Sequence, residues 1–171
     1  MCVASALVNL IEGLPLKDPE AQLEIKFDDE YLIIEERSFK VFKTVIENTF
    51  KIPLCNILDT IVTTEKEVVD KDKSAIGRGV LGGAIFGPAG LILGGMSGIG
   101  TKKKKETIWV YIVSFVSSGG EIKNITFKMS FVMKSVTDKF DKTLKKKLDS
   151  IERSEEVKKI LTKTDQKEFL L

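Results

Sequence analysis

Three clusters of residues in this chain have types and spacings that suggest chemistry. Gly77-Arg78-Gly79-Val80-Leu81-Gly82 has the G-x-G-x-x-G spacing with which a tight backbone turn approaches a dinucleotide pyrophosphate. That chemistry needs a strand before the motif and a helix after it, whereas the polar KDKSAI precedes this one and no βαβ pattern surrounds it. Gly95 to Lys102 resembles a phosphate-cradling loop, but its order is Gly-Thr-Lys, so the lysine is displaced from the phosphate. The acidic clusters Asp28-Asp29-Glu30 and Glu35-Glu36 read as solvated turn and strand-end charges. No histidine is present, and Cys2 and Cys55 are too few and too far apart for a zinc site. With no paired-carboxylate spacing and no nucleophile motif, the expectation is a protein that is not an enzyme and needs no cofactor or metal.

The glycines make better sense as packing surfaces. Residues 79–100 carry no charge over 22 positions, the length of a membrane-spanning helix. Pro88 at the centre argues against a single crossing, because it removes a helix hydrogen bond, and Gly87-Pro88-Ala89-Gly90 forms a ready reversal. Both flanks are basic, with Lys71, Lys73 and Arg78 before and Lys102, Lys103, Lys104 and Lys105 after. A hairpin returns the chain to where it started; a crossing would split the surrounding strands across a bilayer. Gly79, Gly83 and Gly87 repeat every four residues on one arm, and Gly90, Gly94 and Gly98 on the other. Each arm thus presents a side-chain-free stripe along which helices approach closely. Ile85, Phe86, Leu91 and Leu93 are left to face outward. Each arm, at ~1.5 Å per residue, is long enough to enter one leaflet without crossing. In water alone such a segment is not helical, since each glycine costs ~1 kcal/mol relative to alanine, so it must be packed against something.

The rest of the chain must position this segment. At 171 residues with a net charge of +2, it is long enough for one core and is not a basic nucleic-acid binder. MCVASALVNLIEGLPL lacks a basic n-region, and Val3, Ala6, Leu7, Leu10, Ile11 and Leu14 fall at helical spacing, which predicts a short N-terminal docking helix within an appended segment, residues 1–20. Alternating or β-branched runs then predict strands in AQLEIKF, YLIIEER, FKVFKTVI, TFKIPL and DTIVTTEKEVV, with Pro53 confining its strand to an edge or an end. After the insertion, placed at residues 74–101, ETIWVYIVSFVS reads as a strand apolar on both faces, Ser117 to Gly120 as a reversal and EIKNITFKMS as its return. Met133, Val136, Phe140, Leu144, Leu148 and Ile151 form one helical stripe. Ser154-Glu155-Glu156 reads as the cap and first turn of a second helix in a tail covering residues 153–171. The simplest arrangement is an α+β domain over residues 21–152: a bent antiparallel sheet or barrel of six or seven strands closed by an amphipathic helix, in the pleckstrin-homology-like layout.

Gly77-Arg78, Gly82-Gly83, Gly87-Pro88, Gly90, Gly94-Gly95 and Ser97-Gly98, followed by lysines and an aromatic strand, resemble a glycine-rich hairpin motif. That motif occurs in small uncharacterised proteins of Gram-positive bacteria and their phages. Looser agreement in Gly13-Leu14-Pro15, Phe50 to Leu54, Thr64 to Glu67 and Ser118 to Ile122 extends the resemblance over roughly residues 12–130. It implies a pleckstrin-homology-like barrel with an inserted helical hairpin and implies no activity. TDQKEFLL lacks the glycine turn of the oligomerising helix pair in which such proteins often end.

Two functions remain open on these residues. In the first, a cytoplasmic protein sits peripherally at the inner face of the cell membrane, its hairpin in a leaflet and its Arg78 and Lys102–Lys105 on anionic head groups, alone or as a homo-oligomer. In the second, a soluble assembly protein packs the hairpin on its own barrel or on a protein partner.

Overall fold

In a computed structural model, which describes residues 4–40, 43–64 and 107–165, the chain forms one seven-stranded antiparallel sheet and two α-helices. The strands are β1 (Ser5–Glu12), β2 (Gln22–Phe27), β3 (Tyr31–Lys40), β4 (Lys43–Pro53), β5 (Ile57–Thr64), β6 (Trp109–Val116) and β7 (Ile122–Met129). Their order across the sheet is β4-β3-β2-β1-β7-β6-β5, so the sheet is open and β4 and β5 are its edges. A 3-10 turn at Leu54–Asn56 joins β4 to β5. The helices are α1 (Phe131–Ser150) and α2 (Glu155–Asp165).

Alternation drives the first half of the sheet. Leu23 and Ile25 of β2 face the same side as Leu32 and Ile34 of β3, and all four are fully buried. The reversal between these strands is fixed by Asp28, whose Oδ1 accepts the N–H groups of Glu30 (2.8 Å) and Tyr31 (2.7 Å). These bonds hold its carboxyl below the usual range. Pro53 ends an edge strand, as its missing N–H requires. At the β6–β7 reversal Gly120 adopts φ 77° and donates its N–H to Ser117 O at 2.9 Å.

Two sequence expectations are corrected. Residues 5–12, expected to be helical, are β1, the strand that joins β2 to β7 at the centre of the sheet. A central strand with both faces covered loses its alternation: Ala6 and Val8 enter the main core, Leu10 packs against it, and Ile11 lies on the other face. FKVFKTVI, expected to be one strand, is divided between the end of β3 at Lys40 and the start of β4 at Lys43. Phe39 and Ile46 stand exposed on this extension.

The core lies between the curved sheet and α1. Phe140, Leu144 and Leu148 are buried against Tyr111, Phe127 and the β2–β3 leucines and isoleucines, as the helical stripe predicts. Met133, at the start of the stripe, packs against this core, but Val136 is left exposed. Ser154 Oγ accepts the Val157 N–H at 3.4 Å and caps α2, with Glu155 and Glu156 in its first turn as expected. The Ser154 N–H donates to Cys55 O at 3.0 Å and ties α2 to the 3-10 turn.

Candidate functional site

The sheet's contribution to a site is best read where the insertion leaves and re-enters it. Thr64, the last residue of β5, and Trp109, the first of β6, are directly paired, and Trp109 is paired in turn with Met129 of β7. The chain therefore departs and returns at neighbouring points, as a hairpin insertion requires. Two residues beyond Met129, α1 opens with Phe131 and Val132, which are 78% and 81% exposed. They fall outside the stripe formed by Phe140, Leu144 and Leu148 and so receive no cover from the sheet. Lys134 reaches back from the same turn, its Nζ 4.5 Å from the centroid of the half-buried Trp109 ring and 2.6 Å from Asp138 Oδ2. Lys128, paired with Val110, adds an exposed charge on β7. An aromatic ring and the Lys134 ammonium thus meet at the insertion's root, close in sequence to two exposed apolar side chains, while Lys128 lies on the sheet's other face with Val110. Exposed apolar groups with a cation beside them can enter the head-group boundary of an anionic bilayer or meet an acidic partner.

The residues expected from sequence to form the site lie outside the described ones: Gly79, Gly83, Ile85, Phe86, Gly87, Pro88, Gly90, Leu91, Leu93, Gly94 and Gly98, together with Arg78 and Lys102–Lys105. Phe131 and Val132 escaped the sequence reading, although a helical wheel drawn through Phe140 and Leu144 shows both off the buried stripe.

The acidic clusters belong to the scaffold, but one reading of them is corrected. Glu35 and Glu36, expected to be solvated, are 7% and 1% exposed. Glu36 Oε1 accepts the N–H groups of Lys17 (3.1 Å) and Asp18 (3.0 Å), while Asn48 Nδ2 donates to its other oxygen. One carboxylate thereby fastens the β1–β2 connection over β3 and β4. Glu35 pairs with Lys26 Nζ at 2.6 Å, and Arg37 pairs with Glu24. Within the core, Thr60 donates its hydroxyl to Asp141 Oδ1 at 2.5 Å, and Lys145 Nζ lies 3.1 Å from Asp141 Oδ2. Tyr111 is buried beside this pair, its hydroxyl near both Thr60 and Asp141 but outside good hydrogen-bond geometry with either. Burial first, and the negative charge of Asp141 second, push its pKa well above the usual value.

A shallow groove of about 330 Å³ lies between the β2–β3 reversal and the end of α1, lined by Asp29, Tyr31, Cys55 and Glu152 among others. Cys55 is a free, half-buried thiol. Among the described residues no three His, Cys, Asp or Glu side chains come together to hold a metal ion, and no helix is long and apolar enough to cross a membrane.

An open antiparallel sheet closed by an amphipathic helix, with a glycine-rich insertion between β5 and β6, defines a pleckstrin-homology-like domain. Residues 17–140 match the family described as glycine zipper containing PH domain, and the chain belongs to that family. No curated protein matches the chain.

Proposed function

We propose that the protein is a non-enzymatic membrane-associating module of a bacterium or its phage. In this reading the sheet stays at the cytoplasmic face and the hairpin dips into one leaflet. Gly79, Gly83, Gly87, Gly90, Gly94 and Gly98 hold the arms together, Ile85, Phe86, Leu91 and Leu93 meet acyl chains, and Pro88 makes the reversal. Arg78 and Lys102–Lys105 contact anionic head groups, and several copies can associate through the same stripes.

The observation that carries this reading is the exposed Phe131–Val132 pair beside Trp109 and Lys134. Lys105 is four residues from Trp109, so at ~3.5 Å per residue the KKKK run ends within ~14 Å of this surface. Basic residues near an anionic surface contribute ~1 kcal/mol each, so four raise binding by some two to three orders of magnitude at low salt.

Flotation of the full chain with phosphatidylglycerol-containing and pure phosphatidylcholine vesicles tests it. Binding should need the anionic lipid, weaken with salt and blue-shift the emission of Trp109, the single tryptophan. Changing Lys102–Lys105 to glutamine should remove most of the salt dependence, and Phe131→Ser with Val132→Ser should weaken the residual binding. No flotation on either vesicle would reject the membrane reading.

A further inference from the structure

β6 reads WVYIVSFV, and its two faces are occupied differently. Tyr111 and Val113 point into the main core under α1. Val110, Ile112 and Val116 point the other way, yet they are 0%, 0% and 2% exposed. On β7, Thr126, opposite Ile112, is also fully buried. A sheet face turned to water carries polar, accessible side chains, so burial this complete requires a cover. Among the described residues, the apolar side chains packed on Val110 and Ile112 are Ile11, Ile61 and Ile108. Ile11 and Ile61 belong to the sheet itself, and Ile108 is the residue leading out of the insertion into β6. Helix α1 covers the opposite face, and α2 meets β5 and the 3-10 turn without contributing to this cluster. Polar groups here are engaged as well: Thr63, opposite Val110, and Asn124, opposite Ser114, both have partners. Glu12, opposite Thr126, has its carboxyl pushed above the usual range by burial.

We infer that this second face of β5, β6 and β7 is the docking surface of the chain's own glycine-rich segment, residues 79–100. Both ends of the insertion are fixed at the rim of the face by the Thr64–Trp109 pair, and Ile108 already lies on it. An arm of ten helical residues is ~15 Å long, close to the ~20 Å that Val110 to Val116 spans in a strand. The segment is uncharged and must be packed, and the centre of the face, around Val110 and Ile112, is apolar and covered, while Lys128 at its rim is exposed. Glycine stripes on the arms allow close approach to a sheet as well as to each other. The docked form goes beyond the membrane reading and holds without lipid; where lipid binds, bilayer and sheet compete for one segment, and apparent affinity falls by the undocked fraction.

Disulfide trapping in the lipid-free full chain tests this. In a Cys2→Ser, Cys55→Ser background, Thr63→Cys is paired in turn with Ile85→Cys, Leu91→Cys, Leu93→Cys and, as the competing occupant, Phe169→Cys. Oxidation should yield a monomeric species bridged from position 63 to at least one of 85, 91 and 93. A bridge to 169 alone, bridges only between two copies, or no bridge to the insertion would each overturn the inference. Independently, Ile112→Gln should lower the folding equilibrium constant roughly 10- to 100-fold in the full chain, by burying an unpaired amide. The same change should cost less than about threefold once a Gly-Ser linker replaces residues 78–102 and the face is open. Equal losses in both backgrounds overturn it; should the linker variant fail to fold, the trapping result decides. Trapping without flotation leaves this inference standing and rejects the membrane reading, whereas flotation without trapping does the reverse.

Discussion

Removing a polar atom from the core should stabilise this protein. Tyr111 is fully buried, with its ring stacked on Phe127 (centroids 6.2 Å apart) and edge-on to Phe140 (6.2 Å). Its hydroxyl lies beside Thr60 and Asp141 but makes no well-aligned hydrogen bond to either. A buried, unpaired polar group costs about 1–3 kcal/mol, and Tyr111→Phe removes that cost while keeping both ring contacts. The void left behind, of ~10 Å³, costs only ~0.2 kcal/mol at ~24 cal/mol per Å³. The variant should therefore gain about 1–2 kcal/mol at neutral pH, read as a higher urea midpoint at unchanged slope and a Tm raised by ~2–8 °C. The pH dependence follows from the raised phenol pKa. An unfolded tyrosine ionises near pH ~10 while the folded one stays neutral, so the parent loses stability as pH rises beyond that value. The phenylalanine variant lacks this loss, and its advantage should widen above pH ~10. A net destabilisation of 1 kcal/mol or more, at about the worth of one good hydrogen bond, would show that the hydroxyl is bonded and refute the reasoning.

Other expectations are as direct. Gly13 adopts φ 103°, and a Cβ there would lie 2.5 Å from Asn124 O, whereas Gly120 at φ 77° has nothing within 4 Å. Gly13→Ala should thus cost at least ~2 kcal/mol and Gly120→Ala only ~1 kcal/mol, a difference that urea titration resolves. Glu36→Ala strands the amides of Lys17 and Asp18 and should cost ~3 kcal/mol, with faster hydrogen exchange across residues 13–20. Gly83→Leu or Gly94→Leu raises hydrophobicity but separates the arms, so flotation or self-association should fall; retention of either at the parental level would reject close packing along the glycines.

The sequence disclosed most where one face alone is buried. Leu23, Ile25, Leu32 and Ile34 alternate with charged neighbours, and Phe140, Leu144 and Leu148 recur at helical spacing, so β2, β3 and α1 were readable from local pattern. β1 was misread for the converse reason: with Ala6 and Val8 on one face and Ile11 on the other, its apolar residues no longer alternate, and their spacing imitates a helix. The β3–β4 reversal carried no glycine or asparagine signal. Glu36 looked solvated because its partners, Lys17, Asp18 and Asn48, are remote in sequence and are assembled by the fold. At the root of the insertion, the lysines and glycines were conspicuous by composition, while Phe131 and Val132 were hidden inside a helix whose other apolar residues, Val136 apart, pack on the core. A helical wheel separates the two groups once the Phe140–Leu144 stripe is known to face the sheet.

The place of β1 bears on how the chain reaches this fold. β1 to β4 follow one another in sequence and can pair as soon as they are made, but the other edge of β1 waits for β7, through pairs such as Asn9 with Lys128. At a synthesis rate of ~5–20 residues per second, the stretch between the end of β4 and β7 takes some seconds to emerge, and during that time the growing sheet ends in an open, largely apolar strand. The delay includes the whole glycine-rich insertion, with its uncharged run at residues 79–100. The arrival of residues 122–129 then covers that edge of β1.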